Sequence, residues 1–421
     1  MKRMRVVADL HIHSKYSRAT SNNMNLEGMS GGAKIKGINL LGTGDFTFKT
    51  WLDELKRKLE PVEGNLFKYN DVFFMLTTEV STIFSFEGKT RKVHHLIHIP
   101  DFEIADQINE SLSQCGNLKA DGRPTLTVSA PELVEKIIGI SNKVLITSAH
   151  AWTPWFSVFG SKSGFDRVED CYQDQTKNIF SLETGLSSNP AMNWRLSALD
   201  KFTLLSNSDS HSPNSWRLGR EANVFELKKL SFNEIYEVIK EKDKKRFLFT
   251  IEVPPHLGKY HFTGHRNCGI SLSPSEAIKF NNVCPKCKRP LTIGVEQRVE
   301  ELADRPEGFV PKDAIPFKTL ISLYELISYA LGIGQLYSKR VAEEQNKLLK
   351  LLGNELEILL DVPEEKLKET ADEKIVEMIM KNREGKINVV PGYDGVYGRI
   401  ARDDEKQVEF KSDQSSLRKF L

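Results

Sequence analysis

The chain has 421 residues, more than one ordinary domain holds, so two or three domains are expected. Charged residues make up 28% and hydrophobic residues 39%, a globular balance, and a net charge of +2 excludes a strongly basic domain while leaving room for a local basic stripe. No apolar run approaches the ~18–20 uncharged residues of a membrane helix, and basic Met1-Lys2-Arg3-Met4-Arg5 leads into the first apolar run with no signal-peptide core, which predicts a cytoplasmic protein.

Short apolar runs near 5–9, 38–43, 72–79, 93–99, 144–149, 179–182, 203–207, 222–225 and 247–251 read as strands. Helix-like stretches, such as 51–59 and 130–138, lie between several of them. This alternation predicts βα units and a mostly parallel sheet or barrel over residues 1–250.

Many of these runs finish on the same chemistry. Val6-Val7-Ala8-Asp9-Leu10 leads into His11 and His13, which share a face in extended chain. Leu40-Leu41-Gly42-Thr43-Gly44 ends on Asp45, and the run from Phe73 ends on Glu79. Val93 is followed by His94 and His95, of which one can face a site. The run from Val144 ends on His150, and Leu204-Leu205-Ser206-Asn207-Ser208 ends on Asp209 and His211. Donors gathered at strand ends are how a barrel of parallel strands builds a site at its C-terminal rim. Imidazole with carboxylate suits transition metals rather than calcium. Eight such donors exceed one tetrahedral site and suit two or three divalent metals (zinc, manganese or magnesium) about 3.5–4 Å apart.

The composition changes near Val253-Pro254-Pro255. Residues 251–300 hold His265-x2-Cys268 and Cys284-x2-Cys287, the spacing of one structural zinc, with His261 as a rival fourth ligand. Three of the five cysteines cluster here, which argues for a metal and against a disulfide framework. A span this short needs such a staple. Residues 301–402 carry helical patterns at 317–331, 338–352 and 364–382, then a glycine-rich turn, Pro391-Gly392-Tyr393-Asp394-Gly395. Residues 403–421 are charged and polar, a composition that predicts a flexible tail. They end in Gln414-Ser415-Ser416-Leu417-Arg418-Lys419-Phe420-Leu421, which fits the sliding-clamp pattern Q-x-x-h-x-x-a-a, with Gln414 as polar anchor and Leu417, Phe420 and Leu421 as apolar contacts.

Asp9-Leu10-His11-Ile12-His13-Ser14, Asp45, Glu79, His94, His150 and Asp209-Ser210-His211 resemble the polymerase-and-histidinol-phosphatase (PHP) superfamily. That resemblance implies an α/β fold, a distorted (β/α)7 barrel that carries metals and hydrolyses phosphoesters. It selects His94 over His95, because Leu96 completes a His-x-Leu. Two positions depart from the pattern. Ser17-Arg18-Ala19 stands where many members have an acid, and Asp45 stands where many have His. Arg18 is expected near the site, as a phosphate ligand.

The barrel, the cysteine knuckle and the helical region together, with Glu183-Thr184-Gly185-Leu186-Ser187-Ser188, Asn193-Trp194-Arg195 and Val299-Glu300-Glu301-Leu302-Ala303-Asp304-Arg305-Pro306, resemble the endonuclease Q family over nearly the whole chain. The resemblance implies a DNA-repair endonuclease of the cytoplasm and nucleoid, nicking 5′ to deaminated bases (uracil, hypoxanthine, xanthine) and abasic sites. Asp209, Glu79 and Arg18 would carry catalysis, with Glu79 bridging metals. A flipped base is expected to meet Trp152 or Trp155 in the loop after His150. The partners implied are damaged DNA and the archaeal-type clamp. The alternative is a PHP phosphatase of a small phosphate monoester, which needs the same ligands but no knuckle, helical region or clamp tail.

Overall fold

The computed structural model describes residues 3–335 and 337–402. On the main path of the sheet seven strands come first along the chain, with the short strands Glu60–Val62, Leu66–Tyr69 and Thr125–Leu126 pairing off this path: β1 (Met4–Asp9), β2 (Leu40–Gly42), β3 (Val72–Phe86), β4 (Lys89–Ile99), β5 (Leu145–Ser148), β6 (Ile179–Glu183) and β7 (Thr203–Leu205). Three more complete the main path of the sheet: β8 (Ala222–Leu227), β9 (Phe247–Glu252) and β10 (Phe317–Thr319). The spatial order is β7-β6-β5-β4-β3-β2-β1-β8-β9-β10.

The sheet is mixed, which corrects the expectation of a mostly parallel one. β1–β2, β2–β3, β5–β6 and β6–β7 are parallel, but β3–β4, β4–β5, β1–β8 and β8–β9 are antiparallel. For β3 and β4 the reason lies in Glu87-Gly88, the two-residue loop between them. Both have positive φ, 50° and 72°, as a type I′ hairpin turn requires. A hairpin therefore stands where a βα crossover was expected. It also carries β3 seven residues past Glu79, so Glu79 and His94 sit within long strands rather than at strand ends.

The sheet curls so that β1 and β7 meet beyond their C-terminal ends. Ile12 bridges Ser210. Side chains complete the seam. The Leu10 N–H donates to Asn207 Oδ1 at 2.9 Å, and the Ser208 N–H donates to Asp9 Oδ1 at 3.0 Å. Asp9 is wholly buried. Burial lifts its carboxyl to about 6, against the pull of hydrogen bonds from Ser208 and Gly219.

Helices Leu26–Lys36, Lys49–Lys58, Phe102–Ser113 and Ala130–Ile140 pack on the sheet with readable end signals. Asn25 accepts from the Gly28 N–H to start the first, and Gly37 at φ 98° stops it. Ser129 and Glu132 form a capping box on the last.

The C-terminal region is helical, as expected, over Leu323–Ala330, Lys339–Leu352, Glu355–Leu360, Glu364–Lys368 and Glu373–Arg383. Its first helix starts later than the pattern suggested, because Phe317–Thr319 joins the sheet as β10 and Ser322 caps the helix. This region docks on the barrel through a buried ion pair, Lys36 Nζ to Glu355 Oε1 at 2.6 Å. It also grips the loop after His211, where Trp216 packs on Tyr324 and Gln345 donates to Ser215. Among the described residues no helix is long and apolar enough to cross a membrane. The clamp pattern at Gln414, Leu417, Phe420 and Leu421 lies outside the described residues.

Candidate metal centre

Two donor groups converge near the seam. His11, His13, Glu79 and Asp209 each offer an atom within 4.8 Å of the others, and so do Glu79, His94 and His150. Glu79 belongs to both. Its Oε2 lies 3.2 Å from His13 Nε2 and 3.6 Å from His11 Nε2, while its Oε1 lies 2.6 Å from His94 Nδ1 and 3.1 Å from His150 Nε2. Asp209 Oδ1 stands 3.1 Å from His13 Nε2.

Strand register explains the second group. Ser81 pairs with His94 and Glu79 with Leu96, so Glu79 and His94 are diagonal neighbours on one face. His95 points the other way and is satisfied there by Thr82 and Tyr172, both at 2.9 Å. Burial holds its imidazole down at about 3. His98 is likewise a buried strand residue, beside the Leu145 carbonyl.

Three site residues adopt a backbone that side chains rarely tolerate. Asp45, His150 and Asp209 have φ of 52°, 27° and 47°. Strain of this kind clusters at functional sites, where surrounding structure over-determines it.

Each histidine of the first group has a carboxylate behind it. Glu183 Oε1 and Oε2 lie 3.0 Å from His11 Nδ1, and Glu183 also accepts from the His150 N–H at 2.7 Å and the Asn207 amide at 2.9 Å. Asp45 Oδ1 lies 3.0 Å from His13 Nδ1, while its Oδ2 accepts from the Ser14 N–H, the Ser14 hydroxyl and the Ser17 hydroxyl. This arrangement turns each Nε2 lone pair toward the cluster, the usual outer support of a metal-binding imidazole. Asp45, expected as a ligand, lies outside both donor groups, with its oxygens against the His13 ring, Ser14 and Ser17. His11 Nε2, His13 Nε2 and Asp209 Oδ1 are buried and make no hydrogen bond. Such atoms are costly unless something else binds them, and a divalent cation fits this donor set.

The electrostatics agree. Burial works against charge on His11, but Glu183, Asp209 and Glu79 outweigh it and hold the imidazole well above its ordinary range. His13 behaves likewise beside Asp45 and Asp209. Without a cation the acids therefore keep protons on both rings. Burial pushes Glu79 up, yet His94, Arg123 and His11 bring it well below the carboxylate range.

Three further expectations need correction or placement. Arg18 is exposed, and it is its backbone N–H that reaches Asp121. The guanidinium at the cluster belongs to Arg123 instead, 3.1 Å from Glu79 Oε2. Trp152 is no base-pocket candidate: it is buried, stacks on Phe159 and donates to Asn193 Oδ1 at 2.8 Å. Trp155 stays 39% exposed and meets the Tyr260 ring edge-on. His211 sits beside the two groups. Its ring lies against His13 with centroids 4.6 Å apart, and its Nδ1 lies 2.9 Å from the Asp209 carbonyl.

Sequence reasoning missed the roles of Glu183 and Arg123. Glu183 carries the same signal as the others, an acid closing an apolar run. Arg123 follows no regular pattern.

The second donor set is His265, Cys268, Cys284 and Cys287, again within 4.8 Å of one another. A hairpin of Thr263–His265 with Ile270–Leu272 turns through Gly269 at φ 64°. Cys284 and Arg289 close the facing knuckle. Burial opposes ionisation of Cys284, but hydrogen bonds from the Cys287 and Lys286 backbone and the His265 ring lower it to about 6. The fully buried apolar core here is Ala277, Cys284 and Leu291, too little to fold alone, and three thiols with an imidazole suit zinc. His261 is buried outside this group, 3.8 Å from Glu296.

Comparison with known proteins agrees with this geometry. Residues 322–386 match the MJ0043 C-terminal domain family. The chain is 35% identical over 277 residues to the protein MJ0043 of Methanocaldococcus jannaschii; the match covers 65% of this chain and 34% of that protein, so it spans about a third of the relative's length. The lesion-specific endonuclease PfuEndoQ of Pyrococcus furiosus matches with a TM-score of 0.85 and 35% identity, covering 99% of each chain. Endonuclease Q in complex with a 27-mer duplex substrate carrying an abasic lesion at the active site matches with a TM-score of 0.86 and 35% identity, covering 97% of this chain and 100% of that one. On this near-complete correspondence of fold and sequence, the chain belongs to the endonuclease Q family.

Proposed function

We propose that this protein is a metal-dependent DNA-repair endonuclease that hydrolyses the phosphodiester 5′ to deaminated bases (uracil, hypoxanthine, xanthine) and abasic sites, leaving a 3′-hydroxyl and a 5′-phosphate. The observation that carries the reading is Glu79, a wholly buried carboxylate with one oxygen toward His11 and His13 and the other toward His94 and His150. Divalent ions would be held by His11, His13, Glu79 and Asp209 and by Glu79, His94 and His150. Bound ions of this kind stabilise charge on a phosphoryl oxygen and lower the pKa of water.

The chain's own groups do the rest. Glu183 and Asp45 fix the tautomers of His11 and His13. Trp155, exposed on the loop after His150, is a stacking surface for a base outside the duplex. Uracil and hypoxanthine share a carbonyl where cytosine and adenine carry an amino group, so one N–H donor would accept both and reject the parents. The Cys268, Cys284, Cys287 and His265 set would hold one structural zinc. The 414–421 segment would dock on a sliding clamp through Leu417 and Phe420. The implied location is the cytoplasm, on the nucleoid.

The test is a nicking assay on uracil-containing and undamaged duplexes, with and without added metal. Metal-dependent cleavage 5′ to uracil supports the reading. Release of phosphate from monoesters with no nicking would instead identify a phosphatase. For the tail, deleting 414–421 should leave nicking of a short duplex unchanged and abolish co-elution with the clamp; retained co-elution would refute the tail assignment.

A further inference from the structure

Arg123 is a cation set against the metal-ligand carboxylates. Its Nη1 lies 3.1 Å from Glu79 Oε2, the oxygen that faces His11 and His13. Its side chain keeps 28% exposure beside a Glu79 that has none. The guanidinium therefore spans from the buried carboxylate to the open side of the cluster. Asp209, on the same side, adds to the attraction that keeps it charged.

The backbone on both sides of Arg123 is fixed. The Gly122 N–H donates to the Tyr16 carbonyl at 3.1 Å, and the Gly122 carbonyl accepts from the Thr47 hydroxyl at 3.2 Å. A side chain on Gly122 would strike Ser17 and Asp45, so only glycine lets this loop press against the orienting acid. On the other side the Pro124 carbonyl accepts from the Ser81 N–H at 2.9 Å, on β3 two residues beyond Glu79. The guanidinium is thus positioned by the same strand and loop that position the ligands.

We infer that Arg123 binds a non-bridging oxygen of the scissile phosphodiester, keeping one N–H on Glu79 and directing others to the phosphate. A guanidinium has five N–H donors in a planar fork, and its bond to Glu79 uses one. A phosphate oxygen between this fork and the Glu79–Asp209 edge would meet donors in the geometry that guanidinium–phosphate pairs favour. Arg123 neither gives nor takes a proton in this role; it supplies fixed positive charge where phosphoryl charge develops. The inference rests on the nuclease reading for the identity of the phosphoester. Its chemistry, recognition of a phosphate at the metal cluster, can be read separately.

The experiment compares metal-loaded wild type with Arg123→Lys and Arg123→Gln. Metals per chain are counted by mass spectrometry, and thermal melting checks the fold. Inorganic phosphate is titrated by calorimetry and as an inhibitor of uracil-duplex nicking. We expect Arg123→Lys to keep its metal content and melting temperature while phosphate affinity falls tenfold or more. Its kcat should fall further than its KM for DNA rises, because the remaining duplex contacts persist. Phosphate affinity within threefold of wild type in both variants would overturn the inference. So would a loss that follows metal loss one for one, since Arg123 would then only hold Glu79 in place. Failure of the wild type to nick any lesion duplex would defeat the nuclease reading alone; the calorimetric phosphate titration would still decide the role of Arg123.

Discussion

Replacing Glu183 with glutamine tests whether the carboxylate behind His11 supports a metal. Glu183 Oε2 accepts the His150 N–H, Oε1 accepts the Asn207 amide, and both oxygens face His11 Nδ1. The Asn207 amide cannot turn over to help, because its oxygen already accepts from the Leu10 N–H and from Asn223. A glutamine NH2 would therefore face a donor in either orientation. If it faces His11, the imidazole must move its proton to Nε2, which removes the lone pair a metal needs. Loss of such an outer partner typically costs about 10–100-fold in metal affinity, or ~1.4–2.8 kcal/mol at about 1.4 kcal/mol per tenfold. Titration of the metal-free protein with Mn2+ against a chromophoric chelator reads this directly. The reduced affinity should come with fewer protons released on binding, since the acid side chains keep His11 protonated in the absence of metal. Affinity within twofold of wild type, at unchanged melting temperature, would refute the claim that Glu183 sets the His11 tautomer.

The remaining predictions concern the ligands, the knuckle and the buried histidines. Asp209→Ala should abolish nicking while lesion-DNA binding persists, measured by gel shift; cleavage within about tenfold of wild type would remove Asp209 from the ligand set. Cys284→Ser should lose one zinc per chain by metal analysis and expose residues 251–300 to protease, since few buried apolar groups hold that segment. His95 stays neutral when folded, at about 3 against an ordinary 6.5. Its contribution is therefore intact above pH 6.5 and is lost as pH falls toward 3, by up to about 5 kcal/mol at roughly 1.4 kcal/mol per unit. His95→Gln should flatten the acid side of the stability curve measured by urea unfolding, and an unchanged slope between pH 6.5 and 4 would count against it.

What could be read in the sequence was local and periodic. His11, His13, Glu79, His94, His150 and Asp209 each sit in or just past an apolar run, but only Glu79 and His94 lie within strands that aim them; His150 and Asp209 lie past their strands in left-handed backbone. The knuckle residues His265, Cys268, Cys284 and Cys287 were legible because they stand at the spacing that zinc sites use, and the structure brings the four together. Asp45 was legible as a site residue but not in its role. Whether an acid faces the metal or stands behind a histidine depends on a positive φ and three donors from another loop, and no pattern records that. Arg123 and Arg18 show the same limit from the other side. Both lie in loops, and only the packing of Gly122 against Ser17 and Asp45 decides which one reaches the cluster. Trp152 was misassigned because a tryptophan in a rim loop can turn inward when a buried amide, here Asn193, satisfies its N–H.

The hairpin between β3 and β4 links these observations. Two adjacent histidines, His94 and His95, can each be a ligand or a core residue, and strand parity allows only one of each. The choice follows from register. With Phe86 paired to Lys89 across the Glu87-Gly88 turn, Ser81 meets His94, which falls on the face of Glu79. A slip of one residue would turn every side chain of β4 over. His95 would enter the cluster, and His94 would face Thr82 and Tyr172. The tight turn admits no such slip, because both of its residues already hold the left-handed conformation that a two-residue loop demands. Which of His94 and His95 joins the second group is thus set at a turn on the far side of the strand pair. The buried bonds of His95 to Thr82 and Tyr172 pin the same register from behind. Core chemistry on one face of β4 and metal chemistry on the other are therefore fixed by a single pairing, and Glu79 can serve both donor groups because that pairing holds.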